Sequence, residues 1–401
     1  MSLSSRVEPN LEGSSRRSVM ATLTDVEMSG HDRRATIAAA SGLCNSVCSN
    51  PTSFEMNRDE SPCPASIEQL DDLLSTPDQR VVQTMRALDG DILVLGVGGK
   101  MGPTLARMAK RASDESGVAR RVIGVSRFSS GDLRERLAGW GIETIACDLL
   151  DEDAIQTLPI ARNVVYMAGF KFGATADPSL AWAMNCYLPA VVSRRYRDSR
   201  IAAFSSGNVY GTVDVDSAGS LESDPPNPVG EYAITILGRE RMFDHFSRTL
   251  GTSISLLRLN YATELRYGVL VDLAHQVFAE TPIDVTMGHV NVIWQRDANA
   301  MALNSLVHTT TPPRILNIAG SEILRVREVC AEFARLMNKD VTFTGDEAPD
   351  ALLNNARRSY SLLGQPMTPS EEMIRWTAHW VMQGGASLGK ATHFESRDGS
   401  F

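Results

Sequence analysis

The residues best placed to do chemistry are four glycines. Gly96, Gly98, Gly99 and Gly102 fall in the run Gly96-Val97-Gly98-Gly99-Lys100-Met101-Gly102. The apolar stretch Ile92-Leu93-Val94-Leu95 precedes it, and a helical pattern from Pro103 to Ala112 follows. Strand, glycine turn and helix in that order make a phosphate cradle. Glycines let the backbone turn sharply and approach a pyrophosphate, and the helix N-terminus offers free N–H groups and partial positive charge. Pro103 suits the first helical turn, where its missing N–H costs nothing. The run predicts a Rossmann-type site for NAD or NADP.

The second strand separates the two cofactors. It ends at Val125-Ser126-Arg127. A carboxylate there would bond the ribose 2′-hydroxyl and repel a 2′-phosphate. Ser126 is small and neutral and Arg127 is cationic, a pairing that favours NADP over NAD. The alternative is that Arg127 stacks on adenine or faces solvent. Asp148, after the third strand, is placed either to meet the adenine amine or to cap the next helix.

These residues need a scaffold, and its pattern runs through the chain. Apolar runs occur at Ile92–Leu95, Val122–Val125, Thr144–Ala146, Val164–Met167 and Ile201–Phe204. Short runs of this kind suit strands covered on both faces. Amphipathic stretches lie between them, such as Thr104–Ala112 and Pro178–Arg195. The fold class is therefore α/β, a doubly wound parallel sheet. The sixth strand leads into Arg258-Leu259-Asn260-Tyr261.

Bulk properties agree. A chain of 401 residues accommodates one large α/β domain and a smaller lobe. A net charge of −9 argues against nucleic acid as a partner and for a soluble cytoplasmic protein. No apolar run reaches the roughly 18 residues of a membrane span. The six cysteines form no C-x-x-C pair and read as free thiols, and the histidines show no ligand spacing, so no metal is expected. Residues 1–65 are polar without periodicity and read as a disordered tail. Acidic residues among the tail's arginines argue against a transit peptide.

Three further stretches carry a family resemblance. They are Ala168-Gly169-Phe170-Lys171 after the fourth strand, Ser205-Ser206-Gly207-Asn208-Val209-Tyr210-Gly211 after the fifth, and Gly230-Glu231-Tyr232 opening the next helix. In this order, from about Asp91 to Gly320, the chain resembles the extended short-chain dehydrogenase/reductases, the NAD-dependent epimerase/dehydratase group that includes UDP-galactose 4-epimerase. The resemblance implies an oxidoreductase or epimerase acting on a sugar, nucleotide sugar or related polyol. It implies a catalytic pair, Ser206 hydrogen-bonding the reacting oxygen and Tyr232 passing a proton. It places Ala168, Gly169, Lys171 and Asn185 at the cofactor, and Asn208 and Asn260 at the substrate. It also raises a homodimer through the helices before the fifth and sixth strands.

One departure matters. The family's Tyr-x-x-x-Lys reads here Tyr232-Ala233-Ile234-Thr235-Ile236. Residues four apart share a helix face, so the lysine would set its charge beside the phenol and lower a pKa that is ordinarily about 10. Isoleucine does not. Arg239, seven positions along, is about 10 Å up the helix and reads as too far for contact. Lys171 is another candidate, although its expected partner is the pyrophosphate. Two readings follow: an enzyme working without the usual lysine, or a cofactor-binding sensor or partner subunit that has lost catalysis.

The remaining segments fall around this core. Residues 66–88 read as a helical preface, opened by a capping box at Ser66-Ile67-Glu68-Gln69 and continued by a helix over about Gln79–Ala87, both packing on the outside of the main domain. Residues 89–310 form the cofactor domain, with 211–230 and 261–287 lent to a substrate lobe that 311–401 completes. Val290–Trp294 is expected as a returning strand and Arg296–His308 as a helix. Glu371–Met382 should bury Met373, Trp376, Trp380 and Val381. His393 and Glu395 are candidates for the substrate pocket or a partner subunit.

Overall fold

The alternation of side chains along short apolar runs such as Ile92–Leu95, buried at every position, dictates a sheet with two covered faces. The computed structural model describes residues 63–129 and 131–399. The expected tail lies, over residues 1–62, outside the described residues. The chain forms β1 (Ile92–Leu95), β2 (Val122–Ser126), β3 (Glu143–Ala146), β4 (Asn163–Tyr166) and β5 (Arg200–Ser206), then a short β6 (Val213–Asp214) and the longer β7 (Ser253–Leu259). Short strands follow at β8 (Ala262–Thr263), β9 (Ile283–Asp284), β10 (His289–Val290) and β11 (Ile293–Trp294), with the longer β12 (Arg314–Ile318) after them. The last are β13 (Leu324–Arg325), β14 (Phe343–Thr344) and β15 (Asp350–Ala351).

Seven strands make one parallel sheet in the order β12-β7-β5-β4-β1-β2-β3. The order reverses between β1 and β4, which opens a crevice at their carboxyl ends. The sheet's outer strand β12 comes from the segment expected to lie wholly in the lobe. Its apolar residues Leu316 and Ile318 are fully buried against the sheet's helices. The boundary at residue 310 therefore shifts beyond Ile318.

The helices are α1 (Ile67–Leu74), α2 (Gln79–Ala87), α3 (Gly102–Glu115), α4 (Leu133–Gly139), α5 (Glu152–Thr157), α6 (Pro178–Trp182), α7 (Leu188–Arg195) and α8 (Gly230–Leu250). Then come α9 (Val269–Phe278), α10 (Gln295–Asn304), α11 (Val326–Met337), α12 (Arg357–Leu363) and α13 (Ser370–Met382). Ile92 and Val94 of β1 face α2, α3 and α10, while Leu93 and Leu95 face α5, α7 and α8. The preface divides: α2 joins the first of these layers, whereas Leu70 and Leu74 of α1 enter the lobe core. Ser66 accepts from Gln69 N–H at 3.2 Å, and the Gln69 side chain returns to Ala65 N–H at 2.7 Å. Among the described residues, no helix is long and apolar enough to cross a membrane.

Two expected elements are broken. The stretch 178–195 is interrupted by a π-helical turn over Ala183–Tyr187. Pro189 follows in the first turn of α7, and its missing N–H cannot close the usual ladder bond. The expected strand Val290–Trp294 splits into β10 and β11 at Asn291. That side chain accepts from Asn260 Nδ2 at 2.7 Å and donates to Asn354 O at 2.6 Å, so it serves as a tie between loops.

The lobe core gathers α1, α9, α11 and α13. Met373, Trp376, Trp380 and Val381 are buried in it as expected, and the Trp294 and Trp376 rings stand 5.4 Å apart. Trp376→Ala should destabilise the protein by about 3–5 kcal/mol, measured as a shift in the urea midpoint; a loss under about 1 kcal/mol would show that this stripe does not hold the lobe.

Candidate active site

The glycine loop is shaped by close approach on every side but one. Gly96 has φ +88°, and a Cβ there would lie 2.6 Å from Ala168 N. A Cβ on Gly102 would strike the Val97 carbonyl, and one on Gly98 would sit 2.5 Å from Ser126 Oγ. Gly99 differs: the nearest atom to its Cβ would be Gly96 O at an ordinary 3.4 Å. Its missing side chain answers no demand of the protein's own packing and leaves a cradle facing the cavity. The turn closes through Gly99 N–H to Gly96 O at 3.1 Å and Gly102 N–H to Gly99 O at 3.2 Å. No side chain caps the start of α3, so its N-terminal field is left for a ligand.

This loop lines a cavity of about 440 Å³ at the carboxyl ends of β1, β4 and β5. Gly99, Lys100, Met101 and Gly102 form one wall, Met167, Gly169 and Lys171 a second, and Ser206, Asn208 and Tyr232 a third. An adjoining hollow of about 260 Å³ shares Gly99 and Lys100 and reaches Gly98 and Arg136.

Lys100 Nζ is buried with no hydrogen-bond partner among the described residues. It lies 2.9 Å from the Tyr267 ring centroid and 4.5 Å from that of Phe172. Lys171 and Lys390 approach the same Phe172 ring to 5.6 and 5.8 Å. Burial, with Lys171 and Lys390 adding like charge, pushes Lys100 down to about 7, and burial pulls Lys171 down to about 8. Asp272, the first opposing charge for both, already accepts from Thr392 N–H at 2.7 Å and its hydroxyl at 2.6 Å. An orphaned ammonium, an open glycine cradle and an uncapped helix start fit the diphosphate of a dinucleotide.

The third wall is built by α8 against the end of β5. Ser206 Oγ donates to Asn208 Oδ1 at 2.7 Å and also bonds the Tyr232 phenol. Burial raises the phenol's pKa, opposed by Arg239 and by the Ser206 hydrogen bond. Lys171 Nζ lies 5.6 Å from the Tyr232 ring centroid. Ile236 and Arg239 line the cavity beside them. Arg239, expected to lie too far along the helix for contact, still lines the cavity and acts on the phenol through its charge, because helical side chains slant toward the N-terminus and a long one covers the turn before its own Cα. The next residue, Glu240, accepts from Ser205 Oγ at 2.5 Å and from Arg258 at 2.9 and 2.7 Å, a pair 3% exposed on each side.

Other expected residues sit elsewhere. Asn185 is fully buried in the π-helical turn, where its amide bonds Phe170 N–H and C=O, Thr235 Oγ1 and Arg239. It holds the wall in place and does not face the cavity. Asn260 lines the cavity, but its amide N–H groups go to Asn291 and the Leu352 carbonyl. Ala168 backs the glycine loop. Arg127 is exposed, and so is Asp148, whose carboxylate accepts from Leu150 N–H at 3.0 Å. The cap of α5 is Asp151. From the C-terminal segment the cavity receives Lys390 and Thr392, whereas His393 and Glu395 are about half exposed and pair with each other at 3.6 Å. Lys390 and Thr392 have no motif to announce them, and mixed charge after the amphipathic α13 is the available signal; Arg239 is marked only as the next cation along α8.

The lysine cluster has a measurable cost. Lys100 is held below its unfolded value near 10.4, so the folded state binds fewer protons between about pH 7 and 10, and the penalty is full below that window and fades as pH rises through it. Lys100→Met should therefore be the more stable protein at pH 7, with the difference in urea midpoint shrinking toward pH 10. A constant difference across that range would contradict the assignment.

The family model for the NAD dependent epimerase/dehydratase family matches residues 92–262. Among solved structures, UDP-glucose 4-epimerase from Thermotoga maritima, with UDP-glucose, is similar with a TM-score of 0.61 and 17% identity, over 73% of this chain and 99% of that one. UDP-glucose 4-epimerase from Thermus thermophilus, in complex with NAD, matches with a TM-score of 0.60 and 19% identity, over 72% and 98%. UDP-glucuronic acid 4-epimerase from Bacillus cereus, with UDP-glucuronic acid and NAD, matches with a TM-score of 0.59 and 16% identity, over 73% and 99%. At such identities the likeness is one of fold. No curated protein sequence matches the chain.

Proposed function

We propose, from the match of residues 92–262 to the NAD dependent epimerase/dehydratase family, that the chain is an oxidoreductase or epimerase that moves a hydride between a nicotinamide dinucleotide and a sugar, nucleotide sugar or related polyol. The observation that carries this reading is the meeting of the glycine loop, Ser206, Asn208 and Tyr232 around one cavity. The loop, Lys100 and Lys171 would hold the diphosphate, with Gly169 lining the cavity beside the cofactor. When bound, the nicotinamide supplies a two-electron acceptor. With that acceptor bound to take the hydride pair, Tyr232 as phenolate would take the proton of the substrate hydroxyl as the carbinol is oxidised to a carbonyl. Ser206 donates to the same substrate oxygen and steadies its developing charge. In the reverse step Tyr232 returns the proton.

The alternative of a sensor without catalysis rests on Ile236 alone, and the meeting of Ser206 and Tyr232 at the cavity weighs against it. Asn185 and Asn260 act as supports in this reading, and Asn208 remains the substrate contact through its bond to Ser206. The exposed Trp182, Tyr187 and Ile234, beside α7 and on α8, support a homodimer through those helices.

The test is turnover of nucleotide sugars by wild type and Tyr232→Phe. Loss of the acid–base group should lower kcat by about 10²–10⁴-fold. Equal rates on every substrate that reacts would remove Tyr232 from the mechanism.

The absence of a carboxylate at the end of β2, with Ser126 against Gly98 and Arg127 exposed beside it, supports NADP over NAD. Calorimetric titration should show tighter binding of NADPH than NADH, with Arg127→Ala weakening NADPH roughly tenfold, about 1.4 kcal/mol, and NADH little. Equal affinities in wild type would overturn the preference.

A further inference from the structure

A buried tyrosine needs help to give up its proton, and the helix position that ordinarily supplies a cation carries Ile236. We propose that Arg239 is the replacement: a positioning residue whose guanidinium, set one turn further along α8 and reaching back into the cavity, supplies the fixed positive charge that prepares Tyr232. The inference rests on the reading of Tyr232 as the acid–base group.

The geometry shows a cation held in place. Arg239 Nη1 donates to Phe204 O at 2.8 Å and Nη2 to Asn185 Oδ1 at 2.7 Å. The guanidinium lies 5.3 Å from the Tyr166 ring centroid. Gly169 leaves it room, since a Cβ there would collide with Nη2. Asn185 then donates to Thr235 Oγ1 at 3.0 Å, which donates to the Tyr232 carbonyl at 2.9 Å. A continuous bonded path thus ties the guanidinium to the backbone of the tyrosine it serves. Nε of Arg239 is buried with no hydrogen-bond partner among the described residues, so the charge is not quenched by a carboxylate on that edge. Ile236 fits this arrangement, because a lysine there would set a second cation into the same wall.

Four groups face the phenol from the packed elements: Arg239 on α8, Ser206 at the end of β5, Lys171 after β4 and Tyr267 before α9. Asp272 of α9 opposes Lys171. Lys171 is the competing cation. Burial draws its pKa down to about 8, so its charge fades in the range where a phenol must ionise, whereas a guanidinium stays charged throughout.

The experiment reads the phenol directly and needs no turnover. A fluorinated tyrosine, intrinsically more acidic, is placed at position 232, and its titration is followed by fluorine NMR in the dinucleotide-free protein. Arg239→Met should raise its pKa by about one unit or more, the scale expected for removing a nearby opposite charge. Arg239→Lys should keep most of the wild-type value, and Ile236→Lys added to Arg239→Met should restore it. Lys171→Met should move it less than Arg239→Met does. The proposal is overturned if Arg239→Met leaves the titration in place, or if Lys171→Met gives the larger shift. Should Arg239→Met fail to fold, Ile236→Lys alone decides. A change under about tenfold in the acid constant supports a cation already in position, and a tenfold gain or more overturns the proposal. Absence of sugar turnover would defeat the proposed function and leave this titration readable.

Discussion

The site depends on two opposite charges buried side by side. Arg239 and Glu240 are adjacent on α8, each 3–4% exposed, and each is bonded to the end of β5. A buried ion left unpaired costs several kcal/mol, so both must find partners. Glu240 finds Ser205 and Arg258, which ties β5, α8 and β7 together. Arg239 finds the Phe204 carbonyl and Asn185, which ties α8 to the π-helical turn and the loop after β4. The helix can therefore dock in essentially one register, and that register sets Tyr232 beside Ser206.

The polar network extends past the sheet. Arg258 lies 4.6 Å from the Tyr210 ring centroid, and Tyr210 donates to Asn317 of β12 at 2.8 Å. Asn317 in turn donates to the Ser220 and Asn355 carbonyls. Loops of the lobe are thus pinned to the strand that carries Ser206 by hydrogen bonds that the low surrounding dielectric strengthens. Opposite them stands a wall of the other character, where Lys100, Lys171 and Lys390 crowd around Phe172. One side of the cavity is electrically settled and the other is left positive.

Legible in the chain is whatever depends on short sequence distance. The glycine loop, the strand runs and the Ser206 and Tyr232 motifs are local patterns, and the fold brings the loop, Ser206 and Tyr232 to one cavity. Glycine spacing says nothing of which glycines serve packing and which face the cavity; Gly96 and Gly102 prove to be the former and Gly99 the latter. Distance measured along the helix axis hides that Arg239, slanting backward, lines the cavity. Motif position points Asn185 and Asn260 outward, yet buried amides must satisfy donors and acceptors, and both spend them on the scaffold. Lys390 and β12 reach their places through long-range packing, which no local pattern records.

The segment carrying Lys390 and Thr392 closes over the crevice and then runs to Gly399, whose backbone lies against Gly230 at the start of α8. During synthesis this segment follows every strand of the sheet. A nascent chain can complete β12 and enclose both sheet faces while the third lysine of the cavity has yet to be made. The scaffold is then older than the site, in the life of each molecule, and the like-charge strain among the lysines arrives after the sheet that bears it is in place.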